Sequence, residues 1–332
     1  MEIKKLFTNQ KFITMKKFLR FAFVFLLIPS FLLTSCKDDD DATPDRQTDA
    51  EFQTLIAYMQ SNDMDLDDIL SGWITTAENV NTNLSSYYII DIRQAEAYTT
   101  SHIPGAVNST FGDILTEAAN ADGKQIVVVC YTGQTAGHAV VALRLSGYSN
   151  AQVLKWGMSG WHSTLDSWSS NTNTIASANW IASPGSIVEN TTEYDDPNIT
   201  ETGDGATILA ARVEALLSGS LRGVNGADVL DSPGSYYINN YWDVADVETY
   251  GNISGAYRIK PLTLVGGEYM YLDPSKDVVT YCWTGQTSSM ITAYLFVLGY
   301  DSYSLKFGSN GMIYDDLTSH KWSAITTDYT LE

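Results

Sequence analysis

Two cysteines stand in a six-residue motif that occurs twice, as Cys130-Tyr131-Thr132-Gly133-Gln134-Thr135 and as Cys282-Trp283-Thr284-Gly285-Gln286-Thr287. Each copy follows an apolar run and precedes a stretch with helical periodicity. We therefore expect each cysteine to end a buried strand and to face the unpaired backbone N–H groups of a helix N-terminus. Such an environment stabilises a thiolate over a thiol and suits a sulfur nucleophile.

The residues after each cysteine are candidate parts of a substrate-binding loop. Backbone N–H groups of residues 131–135 and 283–287 would bind a thiolate or an anionic persulfide. Gly133 and Gly285 permit backbone angles that a side chain would block. Thr132 and Thr135, with their counterparts in the second copy, are candidate hydroxyl donors. A buried cysteine after a strand is commonly a small core residue, but two cysteines in the same loop favour reactive loops.

Two other uses of these cysteines are disfavoured by the sequence. A phosphatase of the related kind needs an arginine six residues after the cysteine, where its fork grips the phosphoryl oxygens. Ala136 and Ser288 occupy those positions and exclude this class. A structural disulfide between Cys130 and Cys282 is not expected, because the two residues hold equivalent positions in separate halves. No ladder of metal ligands occurs, and we expect neither a metal nor another cofactor.

Hydrophobic periodicity predicts the elements that must position the loops. The order of strand, helix and strand recurs in both halves and predicts an α/β fold with parallel sheets flanked by helices. A continuous apolar run at 126–129 is typical of a strand buried on both faces. Asp49 is a candidate N-cap of the first helix. The predicted strands are 87–92, 126–129, 152–155, 236–238 and 278–281, and the predicted helices are 50–60, 136–145, 206–217 and 289–298.

Repetition outside the loops indicates a tandem duplication. We predict a first domain at 50–168 and a second at 205–332, joined by a linker at 169–204 that is rich in Ser, Asn and Thr. The repeated segments are Tyr87-Tyr88-Ile89 with Tyr236-Tyr237-Ile238, Gly105-Ala106 with Gly255-Ala256, Gly147-Tyr148 with Gly299-Tyr300, and Leu154-Lys155-Trp156-Gly157 with Leu305-Lys306-Phe307-Gly308.

Several motifs of the first half occur together in the order and spacing of one family. They are Asp91-Ile92-Arg93, Glu96, Tyr98, His102-Ile103-Pro104-Gly105-Ala106, the Cys130 loop and the turn at 157–161. On these residues the chain resembles a tandem-rhodanese protein. The second half keeps Gly255-Ala256, the Cys282 loop and the turn at 308–311. It departs from the pattern with Asn240 in place of Asp91, Trp242 in place of Arg93, and Asn252-Ile253-Ser254 in place of His-Ile-Pro.

The resemblance implies a sulfurtransferase with a five-stranded parallel sheet in each domain. Cys130 and Cys282 would carry sulfur as a persulfide, with thiosulfate as the usual test donor and cyanide or a thiol as acceptor. Neither loop contains Lys or Arg, so binding of thiosulfate would depend on the backbone alone. A neutral polysulfide, a small persulfide or a partner protein are alternative donors. The rival interpretation is a non-catalytic envelope module that binds a partner or senses sulfane sulfur.

Further residues are candidates for supporting roles. Asp91, Arg93 and Glu96 could form an ion-pair network at the strand end near the loop. His102 and His138 could donate protons near the loop, although a turn-fixing role for His102 and a structural role for His138 are more common for such positions. Three tryptophans of the first half are interpreted as core or rim aromatics, namely Trp156, Trp161 and Trp168.

The N-terminal segment has a pattern that is typical of a targeting sequence. Lys16, Lys17 and Arg20 form a basic region before an apolar stretch at 21–33, and Leu33-Thr34-Ser35-Cys36 resembles a bacterial lipobox. We expect a signal peptide at 1–36, lipidation of Cys36 and an acidic tether at 37–49, which together anchor the chain to a membrane without spanning it. The tether resembles a surface-export signal of Bacteroidetes lipoproteins, so the expected location is the cell envelope, with the outer membrane and the cell surface as candidates. A signal peptide without lipidation is the alternative.

Net charge limits the classes of partner. Six of the 19 basic and one of the 39 acidic residues lie in the first 36 positions, which leaves 13 basic and 38 acidic side chains. This excess of negative charge argues against nucleic acid and anionic lipid as partners. The expected partners are a small sulfur-containing substrate or a thiol protein, with the membrane contacted only through the lipid.

Overall fold

Two parallel β-sheets organise the chain in the computed structural model, which describes residues 46–182 and 188–332. The described residues from Arg46 to Glu332 belong to one compact unit. The elements of the first half are α1 (Ala50–Ser61), α2 (Leu66–Leu70), β1 (Ile74–Thr75), α3 (Ala77–Thr82), β2 (Tyr87–Asp91), α4 (Ala95–Thr100), β3 (Val107–Asn108), α5 (Ile114–Ala118), β4 (Gln125–Val129), α6 (Gln134–Leu145) and β5 (Gln152–Leu154).

The second half repeats this series of elements after a segment that contributes one short strand. They are β6 (Trp180–Ile181), α7 (Gly205–Leu217), β7 (Gly223–Val224), α8 (Gly226–Asp231), β8 (Tyr237–Asn240), α9 (Val244–Tyr250), β9 (Asn252–Ile253), β10 (Val278–Tyr281), α10 (Gln286–Val297) and β11 (Ser302–Leu305). None of the helices in the described ranges is both long and apolar enough to span a bilayer.

The two sheets have matching strand orders. The first is β1-β5-β4-β2-β3 and the second is β7-β11-β10-β8, with every pairing parallel. Among the described residues the second sheet has four strands and, beside them, an isolated parallel bridge between Asn239 and Tyr257. Pairing stops there because the backbone N–H of Ile259 donates to the side-chain oxygen of Asn239, at 2.9 Å, instead of to a strand carbonyl. Within the described ranges, the first sheet therefore has the five strands that the resemblance implies and the second sheet has four.

Strand β4 shows why the sheets form where they do. Its four apolar residues, Ile126 to Val129, are all buried, because helices cover both faces of a parallel sheet. Val128 faces a core cluster that also contains residues of α1, α6, α7, α10 and the second sheet. Val127 and Val129 face a separate cluster with Ile103 and Trp161. Helices α6 and α10 thus lie between the two sheets and share one core.

The predicted elements are confirmed, and their ends agree with the prediction to within three residues. The side chain of Asp49 accepts a hydrogen bond from the backbone N–H of Phe52 and caps α1, as expected. Helices α6 and α10 begin earlier than predicted, at Gln134 and Gln286, because Gly133 and Gly285 adopt left-handed φ angles of 84° and 74° and start the helices inside the motif. The α/β fold with parallel sheets is confirmed.

Segments at the predicted domain boundaries pack against the sheets. In the predicted linker, β6 pairs with β9, and Asn173 and Ile175 bond the turn at 310–312. The C-terminal residue, Glu332, exchanges two backbone hydrogen bonds with His102 of the first half. The boundaries 50–168, 169–204 and 205–332 stay predictions. The predicted signal peptide at 1–36, Cys36 and most of the tether at 37–49 lie outside the described residues.

Candidate functional site

The first cysteine lies at the carboxyl end of β4, where the chain turns into α6. Its Sγ atom is 3.1 Å from the backbone nitrogen of Gly133 and 3.4 Å from that of Ala136, and both donate to it. Because Gly133 starts the helix, these N–H groups have no carbonyl partner inside the helix. The loop therefore forms the N–H cradle that its sequence predicts, with Cys130 only 4% exposed.

A second turn supports the cradle from below. Met158 N–H donates to the carbonyl oxygen of Cys130 at 2.8 Å, and the hydroxyl of Ser159 donates to the carbonyl of Tyr131 at 2.9 Å. Gly157 has a φ of 59°, and a Cβ at this position would lie 2.7 Å from the backbone nitrogens of both Thr132 and Gly133. The turn at 157–160 therefore fits under the loop only with glycine at its start.

Burial sets the protonation of the first thiol. Loss of solvent raises the pKa of Cys130 above its ordinary value, and hydrogen bonds from the backbone N–H groups of Ala136, Thr132, Gly133 and Thr135 partly oppose that rise. This differs from the expectation that the loop stabilises the thiolate over the thiol, because burial disfavours the charged form more than the N–H groups favour it. Nucleophilic attack then requires loss of its proton, after which the same N–H groups stabilise the anion.

A buried ion pair borders the first loop. The guanidinium of Arg93 donates to both carboxylate oxygens of Asp91 and, at 2.6 Å, to the carbonyl of Ser101. Its carbon Cζ lies 5.7 Å from the ring centroid of Tyr131, which is 41% exposed at the mouth of the loop. Glu96 is exposed on α4 and takes part in no ion pair within the described ranges. The network is therefore a pair and not a triad.

The two candidate histidines make structural contacts. His102 stacks on Tyr98, with 3.9 Å between ring centroids, and its Nδ1 atom lies 2.9 Å from the carbonyl oxygen of Tyr98. His138 is fully buried on α6, and its Nε2 atom accepts from the backbone N–H of Arg222 at 3.3 Å. Burial, followed by the charge of Arg222, lowers the pKa of His138 to about 3. Neither contact joins a histidine to the sulfur of Cys130.

The second cysteine also ends a strand before a helix, but its sulfur has a different set of donors. The Sγ atom of Cys282, which is 3% exposed, accepts from the backbone N–H of Ser288 at 3.3 Å. It also lies 3.5 Å from the hydroxyl oxygen of Ser288, to which the thiol donates. Gly308 supports this loop as Gly157 supports the first, and Ser309 N–H donates to the carbonyl of Cys282 at 3.0 Å.

Aromatic rings surround the second loop where the first has an ion pair. Trp242 stacks on Trp283 with 4.2 Å between ring centroids, and His320 stacks on the other side of Trp283 at 4.8 Å. The backbone keeps its pattern, since Asn240 accepts from Trp242 N–H at 3.1 Å just as Asp91 accepts from Arg93 N–H at 3.0 Å. The departures seen in the sequence therefore replace a charged border with an apolar one.

Some loop side chains do not face the sulfur atoms. The hydroxyl of Thr132 accepts from the side chain of Gln134, and that of Thr284 accepts from the backbone N–H of Gln286. Gln134 is buried and accepts from Phe307 N–H of the other half at 2.9 Å. Across the residues that the structure describes, no threonine hydroxyl of either loop bonds a cysteine sulfur. The loops therefore contribute backbone N–H groups, and Gln134 links one loop to the turn beneath the other.

Three relevant residues were not predicted from the sequence. Trp168 donates from Nε1 to the carbonyl of Thr132, at 3.1 Å, and closes the first loop from the side. The hydroxyls of Ser288 and Ser304 lie 2.8 Å apart behind Cys282. The sequence already shows serine at 288 opposite alanine at 136, a difference that was used above only to exclude a phosphatase.

Comparisons with known proteins match the first loop and its surroundings. The family model of the rhodanese-like domain matches residues 76–164. Thiosulfate sulfurtransferase GlpE of Shewanella oneidensis is 33% identical over 82 residues, which make up 24% of this chain and 81% of that protein. Adenylyltransferase and sulfurtransferase UBA4 of Meyerozyma guilliermondii is 31% identical over 91 residues, 25% of this chain, and the chain spans only 22% of its length. The crystal structure of the Alr3790 protein from Anabaena sp. has 25% identity and a TM-score of 0.25, covering 26% of this chain and 74% of that one.

Proposed function

Since this chain belongs to the family of proteins with a rhodanese-like domain, we propose that it is a sulfurtransferase in which Cys130 carries sulfane sulfur as a persulfide. The observation that carries the proposal is the cradle, in which Sγ lies 3.1 Å from Gly133 N and 3.4 Å from Ala136 N. These donors suit an anionic sulfur before and after transfer. The relatives named thiosulfate sulfurtransferase GlpE support this class of reaction.

The transfer has two steps at one sulfur atom. The thiol of Cys130 first loses its proton to solvent, and the thiolate attacks the sulfane sulfur of the donor. A new S–S bond forms at Cys130 while the donor's bond to that sulfur breaks, and the donor leaves with the bonding electron pair. A thiol in its thiolate form, or cyanide, then attacks the outer sulfur of the persulfide and releases Cys130 as a thiolate.

The charges around the loop favour a donor of low charge. Within the described ranges, the cation at the border of the Cys130 loop is Arg93, and Asp91 already neutralises it. A dianion such as thiosulfate would therefore depend on backbone N–H groups alone. We propose a neutral polysulfide, a small persulfide or a thiol protein as the physiological donor, with thiosulfate as a poorer one.

The second loop is proposed to belong to a second rhodanese-like domain. The matching strand orders of the two sheets and the matching supports beneath the two cysteines favour this assignment. Cys282 would then be a second sulfur acceptor, with residues 283–287 as its binding loop. Its border is the aromatic stack of Trp242 and Trp283, where the first loop has an ion pair.

We also propose that lipidated Cys36 anchors the protein to the cell envelope, on the strength of the lipobox-like sequence alone. Metabolic labelling with a fatty acid tests this point. We expect label in the wild type and none in the Cys36→Ser variant. Label that persists in the variant would overturn the proposal.

A non-catalytic module that binds a partner or senses sulfane sulfur is the second candidate. The observation in its favour is that burial raises the pKa of Cys130 and so disfavours the thiolate. A binding module would tolerate this state, whereas a transferase must ionise the thiol during each cycle.

Intact mass measurement separates the two candidates. The full chain is reduced, incubated with thiosulfate or with a polysulfide, and weighed as wild type, Cys130→Ala, Cys282→Ala and Cys36→Ser. We expect addition of one sulfur atom that is lost in Cys130→Ala, with more addition from polysulfide than from thiosulfate, and subsequent transfer to cyanide. A folded protein that gains no sulfur at either cysteine from either donor would exclude the transferase and leave the binding module.

A further inference from the structure

The core behind Cys282 is lined with hydroxyl groups where the core behind Cys130 is aliphatic. Strands β10 and β11 pair Thr280 with Ser304, and the equivalent pair in β4 and β5 is Val128 with Val153. All of these side chains are buried. Five hydroxyl residues in the space between β10, β11 and α10 replace five aliphatic ones, namely Thr280, Ser288, Thr292, Ser302 and Ser304 in place of Val128, Ala136, Val140, Ala151 and Val153.

Two of these hydroxyls form a hydrogen-bonded series that starts at the cysteine. The thiol of Cys282 donates to Ser288 Oγ at 3.5 Å, and Ser288 Oγ lies 2.8 Å from Ser304 Oγ. Ser304 in turn donates to the carbonyl oxygen of Gly285 at 3.3 Å, within the same loop. Each hydroxyl can donate one hydrogen bond and accept others. When the sulfur is a thiol, the thiol proton and both hydroxyl protons of the series therefore each have a hydrogen-bond acceptor.

The same series also satisfies the thiolate. When Cys282 loses its proton to solvent, the Ser288 hydroxyl can rotate and donate to the sulfur, while Ser304 supplies a hydrogen bond to Ser288. A hydrogen bond to an ionised acceptor is about twice as strong as one between neutral groups. The equivalent positions near Cys130 are Ala136 and Val153, which carry no hydroxyl group.

We propose that the Ser288 hydroxyl, positioned by Ser304, stabilises the thiolate of Cys282. Cys282 is then a sulfur acceptor whose ionisation is favoured by hydroxyl groups of its own half. The proposal rests on the proposed function for the meaning of that thiolate, which is uptake of sulfane sulfur. Stability of the core does not account for the polar lining, because Thr280 and Thr292 are buried there and their hydroxyl oxygens have no partner among the described residues.

The pH dependence of alkylation tests the proposal on the full chain. The reduced protein reacts with iodoacetamide across a pH series, and peptide mass spectrometry reports the rate at Cys282 and at Cys130 in the same molecule. Ser288→Ala, which installs the residue of the first half, should raise the midpoint for Cys282 by about one pH unit, a roughly tenfold slower reaction below the midpoint. Ser304→Val should raise it by about half a unit, and Ser288→Thr should leave it near the wild-type position.

Cys130 supplies the internal reference, because its profile should not move in any of these variants. The reciprocal variant Ala136→Ser should lower the midpoint for Cys130 by less than one unit, since Val153 cannot position the new hydroxyl. An unchanged Cys282 profile in Ser288→Ala, or an equal shift at both cysteines, would overturn the proposal. A shifted profile with no sulfur uptake at either cysteine would instead overturn the proposed function and leave the role of Ser288 in place.

Discussion

Cys130 and Cys282 end equivalent strands and start equivalent helices, yet the side chains around the two sulfur atoms differ on two sides. Behind the sulfur, the first half has Ala136 and Val153 at the positions where the second half has Ser288 and Ser304. At the border of the loop, the first half has the charged pair of Asp91 and Arg93, and the second half has the aromatic stack of Trp242 and Trp283.

The comparison shows which parts of the site the backbone fixes. Both loops lie above a glycine turn, at Gly157 and at Gly308, and both sulfur atoms accept from the backbone, with Ser288 N–H as the donor at Cys282. Side chains around such a cradle are free to change without altering its shape, because they do not form it. Charge and hydrogen bonding at the sulfur can therefore diverge between two copies of one motif, and four sets of variants test how far the two halves have diverged.

The largest effect is expected at the glycine turns. Gly157→Ala and Gly308→Ala should each lower the free energy of unfolding by about 4 kcal/mol or more, because the new Cβ meets the loop backbone at a left-handed φ. Each variant should also abolish sulfur uptake at its own cysteine. Urea unfolding and intact mass measure both. Gly147→Ala is the control, since its φ is 97° in open space, and it should cost about 1 kcal/mol. Equal losses of unfolding free energy in all three variants would mean that backbone strain at the left-handed φ accounts for the effect, with no contribution from a clash with the loop.

The ion pair gives the next effect. Arg93→Met should destabilise the protein by about 3 kcal/mol, because it leaves the carboxylate of Asp91 buried without its cation. The double variant Asp91→Asn with Arg93→Trp installs the pair of the second half and should lose less. Urea unfolding of both proteins measures the difference. If the double variant is as unstable as the single one, the two borders are not interchangeable solutions.

A third contrast lies in His138 and its counterpart Met290, both fully buried. Burial and Arg222 lower the pKa of His138 to about 3, so the unfolded chain binds a proton below about pH 6.5 that the folded protein does not. The contribution of His138 to the free energy of unfolding is therefore full above that pH and falls as the pH drops towards 3. Between pH 7 and pH 5, His138→Met should lose about 2 kcal/mol less stability than the wild type. Parallel pH dependences of unfolding would contradict the assignment.

The smallest effect concerns the link between the halves. Gln134→Ala should cost about 1 to 2 kcal/mol, because it leaves the Phe307 N–H without its partner. Gln286→Ala should cost less, since the Nε2 atom of Gln286 has no partner among the described residues. Urea unfolding of both variants checks the order. A larger loss in Gln286→Ala would reverse it.

Local patterns were sufficient to predict the elements near the sulfur atoms. The apolar run from Ile126 to Val129 and the Asp49 cap are short-range signals, and the structure confirms both. The first residues of α6 and α10 were predicted too far along the chain, because the left-handed glycines that start these helices lie within the motif itself. The lost fifth strand could not be predicted, since it depends on one side chain, Asn239, that binds Ile259 N–H.

Residues adjacent along the chain were enough to predict the two cysteine loops, the backbone N–H groups near each sulfur and the α/β class. What surrounds each sulfur depends on the packing of residues that are distant in the chain. The Ser288 and Ser304 hydroxyls meet because β11 lies beside β10 in register, and Gln134 reaches Phe307 because α6 and α10 share one core. Contacts between residues far apart in the chain have no local signature, since they depend on how the sheets and helices pack.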